Sequence, residues 1–139
     1  MNKTRVNEIG KVFEWENQSK QYPLLGKGIM YFKGNLTVNR WVDCLLYYGD
    51  DYSLQGILNY YSFDFLPFER KGNVTIQVRE DKRRTGIATS LLDEAMSMFQ
   101  INLYQQKYTL LGKKFIMYYI AYNNGKKNVK NQYINLGKT

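Results

Sequence analysis

Lys82, Arg83 and Arg84 run directly into Thr85-Gly86-Ile87-Ala88, at the point where an apolar helical period begins. A helix N-terminus is the positive end of the macrodipole, so cations there oppose it and anions suit it. Its first N–H groups have no intrahelical acceptors. Small residues at 86 and 88 let a ligand approach the backbone, and the two arginines add charge-assisted donors. Residues of these types in this order do the chemistry of anion binding, and a pyrophosphate suits them best. The plain alternative is an ordinary basic loop at a helix start, which leaves three cations without a counter-charge.

Other chemistry is narrowed by what is missing. The chain has no histidine and one cysteine, Cys44. That excludes a His-dependent triad, the usual His zinc sites and a thiolate cage, so no metal is expected. Carboxylates, tyrosines, Ser/Thr, backbone amides and a bound cofactor remain. There are 13 tyrosines, so many apolar faces carry a hydroxyl that needs a partner. Tyr47-Tyr48 and Tyr60-Tyr61 read as cross-strand packing, with an acceptor-binding wall as the functional alternative. Cys44 reads as buried filler.

Net charge is +8, and it is not spread evenly. Residues 1–70 hold eight Lys/Arg and eight Asp/Glu, whereas residues 71–139 hold twelve and four. A one-sided field of this kind attracts phosphates, in nucleic acid or in a phosphorylated cofactor. No apolar run approaches the roughly 20 residues of a membrane span. The first 20 residues lack a signal-peptide core. With a lone cysteine, a cytoplasmic setting is the expectation.

These residues need elements to hold them. The 139 residues fit a single domain, with 1–27 as an N-terminal extension and 126–139 as a basic tail. Residues 6–20 carry a weak helical signal, broken by Pro23 and the glycines at 26 and 28. A strand is expected over 28–34, ended by Gly34-Asn35. A hairpin follows, with strands 41–48 and 54–62 around Gly49-Asp50-Asp51. Gly72-Asn73 opens a strand over 73–79, in which Val74, Ile76 and Val78 alternate with polar residues. From 86 to 99 the period becomes helical: Ile87, Leu91 and Ala95 form one row, and Ala88, Leu92, Met96 and Phe99 the next. Residues 100–105 are expected to cross over as a short strand parallel to 73–79. Over 109–123 a helix is favoured, with Thr109 as N-cap and Gly125 as stop. A strand over 114–122 is the alternative.

Val78, then Arg83-Arg84-Thr85-Gly86-Ile87-Ala88, then Leu91-Leu92 resembles the signature loop of the GNAT superfamily of N-acetyltransferases, in a short and divergent form. The close match spans about 20 residues, and its strand and helix context extends it to roughly 41–105. The resemblance implies an α/β (α+β) fold, with a mixed, mostly antiparallel sheet and a strand–pyrophosphate loop–helix unit. It implies an acetyl-CoA-dependent N-acyltransferase acting on an amine by direct attack. It makes Val78 and Arg79 backbone contacts for the pantetheine arm. Arg83, Arg84, Thr85, Gly86, Ile87 and Ala88 become the pyrophosphate cradle, and Thr89 a candidate hydroxyl contact.

The departures from the family pattern are specific. The strand before the loop, NVTIQVR, has no acid. The nearest carboxylates are Glu69, Asp43 and Asp64, and Glu69 is the candidate general base, although a solvated turn residue is its plain alternative. The late tyrosine that returns a proton to the thiolate has competing counterparts. Tyr118, Tyr119 or Tyr122 serves if 109–123 is the helix after the fifth strand. Tyr133, in YINLGK, serves if 114–122 is that strand. The family's two-helix segment has little room between 34 and 41, and the short ends leave a terminal strand for a second copy to supply in a homodimer. The competing function is a catalytically degenerate module of the same fold that binds nucleic acid or a protein, or a phage-type relative that modifies nucleic acid. The richness in Asn, Lys and Tyr suits an AT-rich phage or bacterial genome.

Overall fold

The computed structural model describes residues 24, 25, 28–37, 40–104 and 106–131. The segment 6–20 and Tyr133 lie outside the described residues. Two compact units divide the chain, Met1–Asn102 and Leu103–Thr139.

The first unit is a five-stranded antiparallel meander with the order β1-β2-β3-β4-β5. Its strands are β1 (Leu24–Leu25), β2 (Ile29–Thr37), β3 (Arg40–Tyr48), β4 (Leu54–Tyr60) and β5 (Val74–Val78). The mixed α+β class and the antiparallel sheet agree with the sequence. β2 runs past Gly34-Asn35, because Gly34 pairs with Val42 and Asn35 with Trp41. The strand pairing is stronger than the local turn signal there. Between β3 and β4 the turn lies at the expected Gly49-Asp50-Asp51, where Tyr52 donates its N–H to the Gly49 carbonyl at 2.9 Å. Asp51 Oδ1 accepts from the Ser53 N–H at 3.0 Å and from the Ser53 hydroxyl at 2.6 Å.

Helix α1 (Ile87–Met98) packs on β4, β3 and β5. Its buried residues are Ile87, Leu91, Leu92 and Ala95. Met96, expected in the apolar stripe, is exposed, so the buried face is narrower than the pattern suggests. Leu91 and Leu92 are fully buried, as are Leu45 and Leu58 of the sheet. Burying each such side chain contributes about 1.5–3 kcal/mol. Gly56 on β4 sets how closely the helix approaches. A Cβ there would lie 2.7 Å from Ile87 Cγ2 and 3.2 Å from Leu91 Cδ1. Any side chain would push the first turn of α1 away from the sheet. At the other end of α1 the Tyr60 ring stacks on Phe99 with centroids 4.4 Å apart. Its hydroxyl donates to the Gln100 carbonyl at 2.9 Å.

The opposite sheet face carries Phe32, Val42, Cys44, Leu46, Ile57 and Tyr61, joined by Phe63 and Phe65 from the β4–β5 connection. Cys44 is buried filler there, and burial pushes its thiol far above the ordinary range. After α1 the chain returns to the sheet, where the Asn102 N–H donates to the Gly72 carbonyl at 2.7 Å. No strand forms over residues 100–104. The expected crossover strand is therefore absent among the described residues.

The second unit contains α2 (Leu110–Asn131), which settles the helix-or-strand choice in favour of the helix. Thr109 caps it: the Gly112 N–H donates to the Thr109 hydroxyl at 3.1 Å. Gly125 does not stop it. An internal glycine costs about 1 kcal/mol relative to alanine, and no proline follows to enforce an end. Tyr108 donates to the Leu103 carbonyl at 2.8 Å, and burial pushes its phenol up to about 12. Among the described residues no helix is long and apolar enough to cross a membrane.

Candidate functional site

β5 is an edge strand, so each of its residues directs its N–H and C=O either toward β4 or outward. The Tyr61 N–H donates to Asn73 O at 3.0 Å, and the Arg79 N–H donates to Gln55 O at 2.8 Å. Odd-numbered residues therefore face β4, and Ile76 and Val78 turn their backbone groups outward. The strand ends where a 3-10 turn, Glu80–Lys82, leads into the loop and then α1.

Arg79 is engaged on every side. Its Nε and Nη2 donate to Asp81 at 2.7 and 2.9 Å, and Nη1 reaches the Ser53 hydroxyl at 3.3 Å. Its carbonyl accepts from the Lys82 N–H at 2.8 Å. The guanidinium holds the Asp81 carboxyl below the ordinary carboxylate range, and hydrogen bonds from Ser53 do the same for Asp51. Arg79 therefore braces the loop against the β3–β4 turn. The outward edge belongs to Val78, as expected, and to Ile76, which the sequence pattern marked only as core. The signal that could have found Ile76 is parity: on an edge strand the residues whose side chains face the helix here are also those whose amides face out.

Arg83 Nε donates to the Val78 carbonyl at 3.3 Å, which leaves the rest of its guanidinium exposed. No acceptor among the described residues meets the Arg84 guanidinium. The backbone is left-handed at Arg84 (φ 64) and again at Gly86 (φ 89), with Thr85 between them. A non-glycine residue in the left-handed region costs about 1–2 kcal/mol, and such strain concentrates at functional sites. Thr85 secures the loop by donating its hydroxyl to the Lys82 carbonyl.

Gly86 is the N-cap of α1, with no side-chain cap and no acid in the first turn. The first intrahelical bond runs from the Ser90 N–H to Gly86 O at 3.0 Å. The N–H groups of Ile87, Ala88 and Thr89 lie ahead of it and meet no acceptor among the described residues. A Cβ built on Gly86 would meet nothing within 4 Å, so the loop is open at that residue. Ile87 contributes only its amide, because its side chain is core. Arg83, Arg84, Thr85, Gly86, Ile87, Ala88 and Thr89 are thus brought together at the C-terminal end of β5, beside Val78 and Arg79. Such an arrangement can hold a multiply charged anion against backbone donors, with arginine side chains above it.

Glu69 precedes β5, beyond the end of the strand opposite the loop; β5 itself, Val74–Val78, spans about 13 Å at 3.3 Å per residue. Glu69 pairs with Phe65 across a tight turn. The Asn73 side-chain amide donates to Glu69 Oε1 at 3.2 Å. Partial burial raises its pKa above the ordinary carboxylate value, against the lowering effect of that hydrogen bond. Tyr119 is buried on α2 in the second unit, where its ring lies 6.0 Å from that of Phe115. Tyr118 and Tyr122 are exposed and stack on each other with centroids 6.0 Å apart. Comparison with protein-family models, with curated proteins and with solved structures finds no match to this chain.

Proposed function

We propose that the chain binds acetyl-CoA and acts as an N-acyltransferase of the GNAT type on an amine. The observation that carries this is the turn from Arg84 to Thr89, left-handed at Arg84 and Gly86, where the N–H groups of Ile87 to Thr89 and the Arg84 guanidinium meet no acceptor among the described residues. A loop built only to cap a helix would have supplied its own acceptor. The pyrophosphate would lie against these amides, with Arg83 and Arg84 over its oxygens. The outward amides of Ile76 and Val78 would hold the pantetheine arm as a neighbouring strand would be held.

Bound acetyl-CoA supplies an activated acyl group. The acceptor nitrogen forms a bond to the thioester carbon, the C–S bond breaks, and the amine proton must go to a base. Glu69 has the carboxylate for this, and partial burial raises its pKa above the ordinary carboxylate value. The thiolate would leave as coenzyme A, taking its proton from solvent.

Acetyl-CoA is expected to raise the melting temperature, since a ligand at a hundred times its Kd adds about 2.7 kcal/mol. Gly86→Glu places a carboxylate where the phosphates would sit and is expected to abolish the shift. No shift of the native chain at millimolar acetyl-CoA would end the proposal.

A further inference from the structure

Buried polar atoms without partners are rare in folded proteins, and each calls for an explanation. Among the described residues the side-chain oxygens of Asn59 and Asn73 are in this state. The sheet register brings them together. Asn59 on β4 stands opposite Thr75 on β5, and the Tyr61 N–H bonds Asn73 O at 3.0 Å. Alternation along the strands puts all four side chains on the face away from α1. Residues on this diagonal are about 7–8 Å apart, within reach of one small bridging group.

The Asn73 side chain is 8% exposed, and its orientation is fixed. Its amide nitrogen donates to Glu69 Oε1, and a flipped amide would set oxygen against that carboxylate. The corner therefore holds the Asn73 oxygen and the Glu69 carboxylate, with Asn59 on the same face, and no donor among the described residues meets either amide oxygen. Glu69, Asn59 and Thr75 are partly exposed, so the corner borders solvent. Its missing complement has several N–H donors and a positive charge. A water molecule would supply two donors and no charge. A primary ammonium supplies three donors and the charge.

We propose that Glu69, Asn73 and Asn59 form a binding site for a primary ammonium group. That this ammonium belongs to the acceptor of the transferase rests on the acetyl-CoA proposal above. Acyl donor and acceptor would then meet the same strand from opposite ends, with the phosphates beyond Val78 and the amine beside Asn73. Asn73 is a positioning residue in this scheme: it aims the Glu69 carboxylate at the nitrogen whose proton Glu69 takes.

The test is a titration of the ¹⁵N-labelled full chain, without acetyl-CoA and at constant ionic strength. The probes are n-butylammonium chloride, tetramethylammonium chloride and butan-1-ol. The expected result is saturable movement of the Asn59 and Asn73 side-chain amide resonances with butylammonium alone. Asn73→Leu is expected to weaken that binding at least tenfold while the thermal shift with acetyl-CoA persists. If Asn73→Leu does not fold, Asn59→Leu serves as the second variant, with the same expectation. No saturable movement would overturn the site, as would equal movement with tetramethylammonium or butanol. So would a crystal soaked in butylammonium that shows water bridging the two oxygens. A chain that binds butylammonium but not acetyl-CoA keeps the site and loses the transferase; the reverse result loses the site alone.

Discussion

The two ends of β5 solve opposite problems. At its C-terminal end the chain leaves donors exposed: uncapped amides from Ile87 to Thr89, a left-handed Arg84 and cations with little to pair with. At its N-terminal end it hides acceptors, with a half-buried Glu69 and two amide oxygens that meet no donor. The first end is built mainly from backbone and needs no core of its own. The second depends on the pairing of β4 with β5 and on the turn from Phe65 to Glu69. On the two proposals above, a single strand would present an anion site and a cation site, and disturbing either should leave the other recognisable.

The largest effect is expected from Leu91→Ala, because Leu91 is fully buried where α1 packs against the sheet. Leucine-to-alanine changes at fully buried sites cost about 2–5 kcal/mol, at roughly 4–8 °C of melting temperature per kcal/mol for a unit of this size. Thermal unfolding by circular dichroism measures it, and a loss of only a degree or two would mean that α1 is not docked as described. Gly56→Ala is gentler. Its Cβ collides with Ile87 and Leu91, and overpacking of this kind costs about 1–3 kcal/mol. Since it moves the first turn of α1, it should also weaken acetyl-CoA in a calorimetric titration while sparing butylammonium.

Arg83→Ala with Arg84→Ala sharpens the contrast from the other side. Both side chains are exposed, so the melting temperature of the free chain should hardly move. Hydrogen bonds to charged groups contribute about 1.5–3 kcal/mol each. Acetyl-CoA affinity should therefore fall by at least tenfold, with a weaker dependence on salt than in the native chain.

Glu69→Gln is expected to give the smallest change in stability, and its sign is informative. Burial raises the folded pKa of Glu69 above its unfolded value. The protonated form is thus favoured by folding, and this contribution is present below the unfolded pKa and lost as pH rises through the folded one. At neutral pH the ionised carboxylate weakens the fold slightly, so Glu69→Gln should leave stability unchanged or a little higher. In the same variant the acidic limb of kcat/KM against pH should disappear if Glu69 is the base. An unchanged limb would assign the proton to another group.

The anion end was legible because its parts are adjacent in sequence. Lys82 to Ala88 are consecutive, and the onset of the helical period at Ile87 fixes where the free amides point. The hairpin of β3 and β4 was equally plain from Gly49-Asp50-Asp51 and the flanking β-rich runs. The N-terminal end was not, because Asn59, Glu69 and Asn73 converge only through strand register. A one-residue slip would send Asn59 and Asn73 to different faces. Local signals also lost to pairing and packing at Gly34-Asn35, at Gly125 and at Met96. The crossover strand expected over 100–105 is absent among the described residues, where the Asn102 N–H still bonds the Gly72 carbonyl, because nothing in a short apolar run specifies how long two segments stay paired.

The central claim is that backbone donors ahead of Ser90 take a diphosphate, and backbone amide shifts during a titration with acetyl-CoA test it most directly. The account predicts saturable movement of the Thr85 to Thr89 amides, together with those of Ile76 and Val78, and none in Gly86→Glu. Stationary amides over Thr85 to Thr89 at saturating or millimolar acetyl-CoA would contradict it.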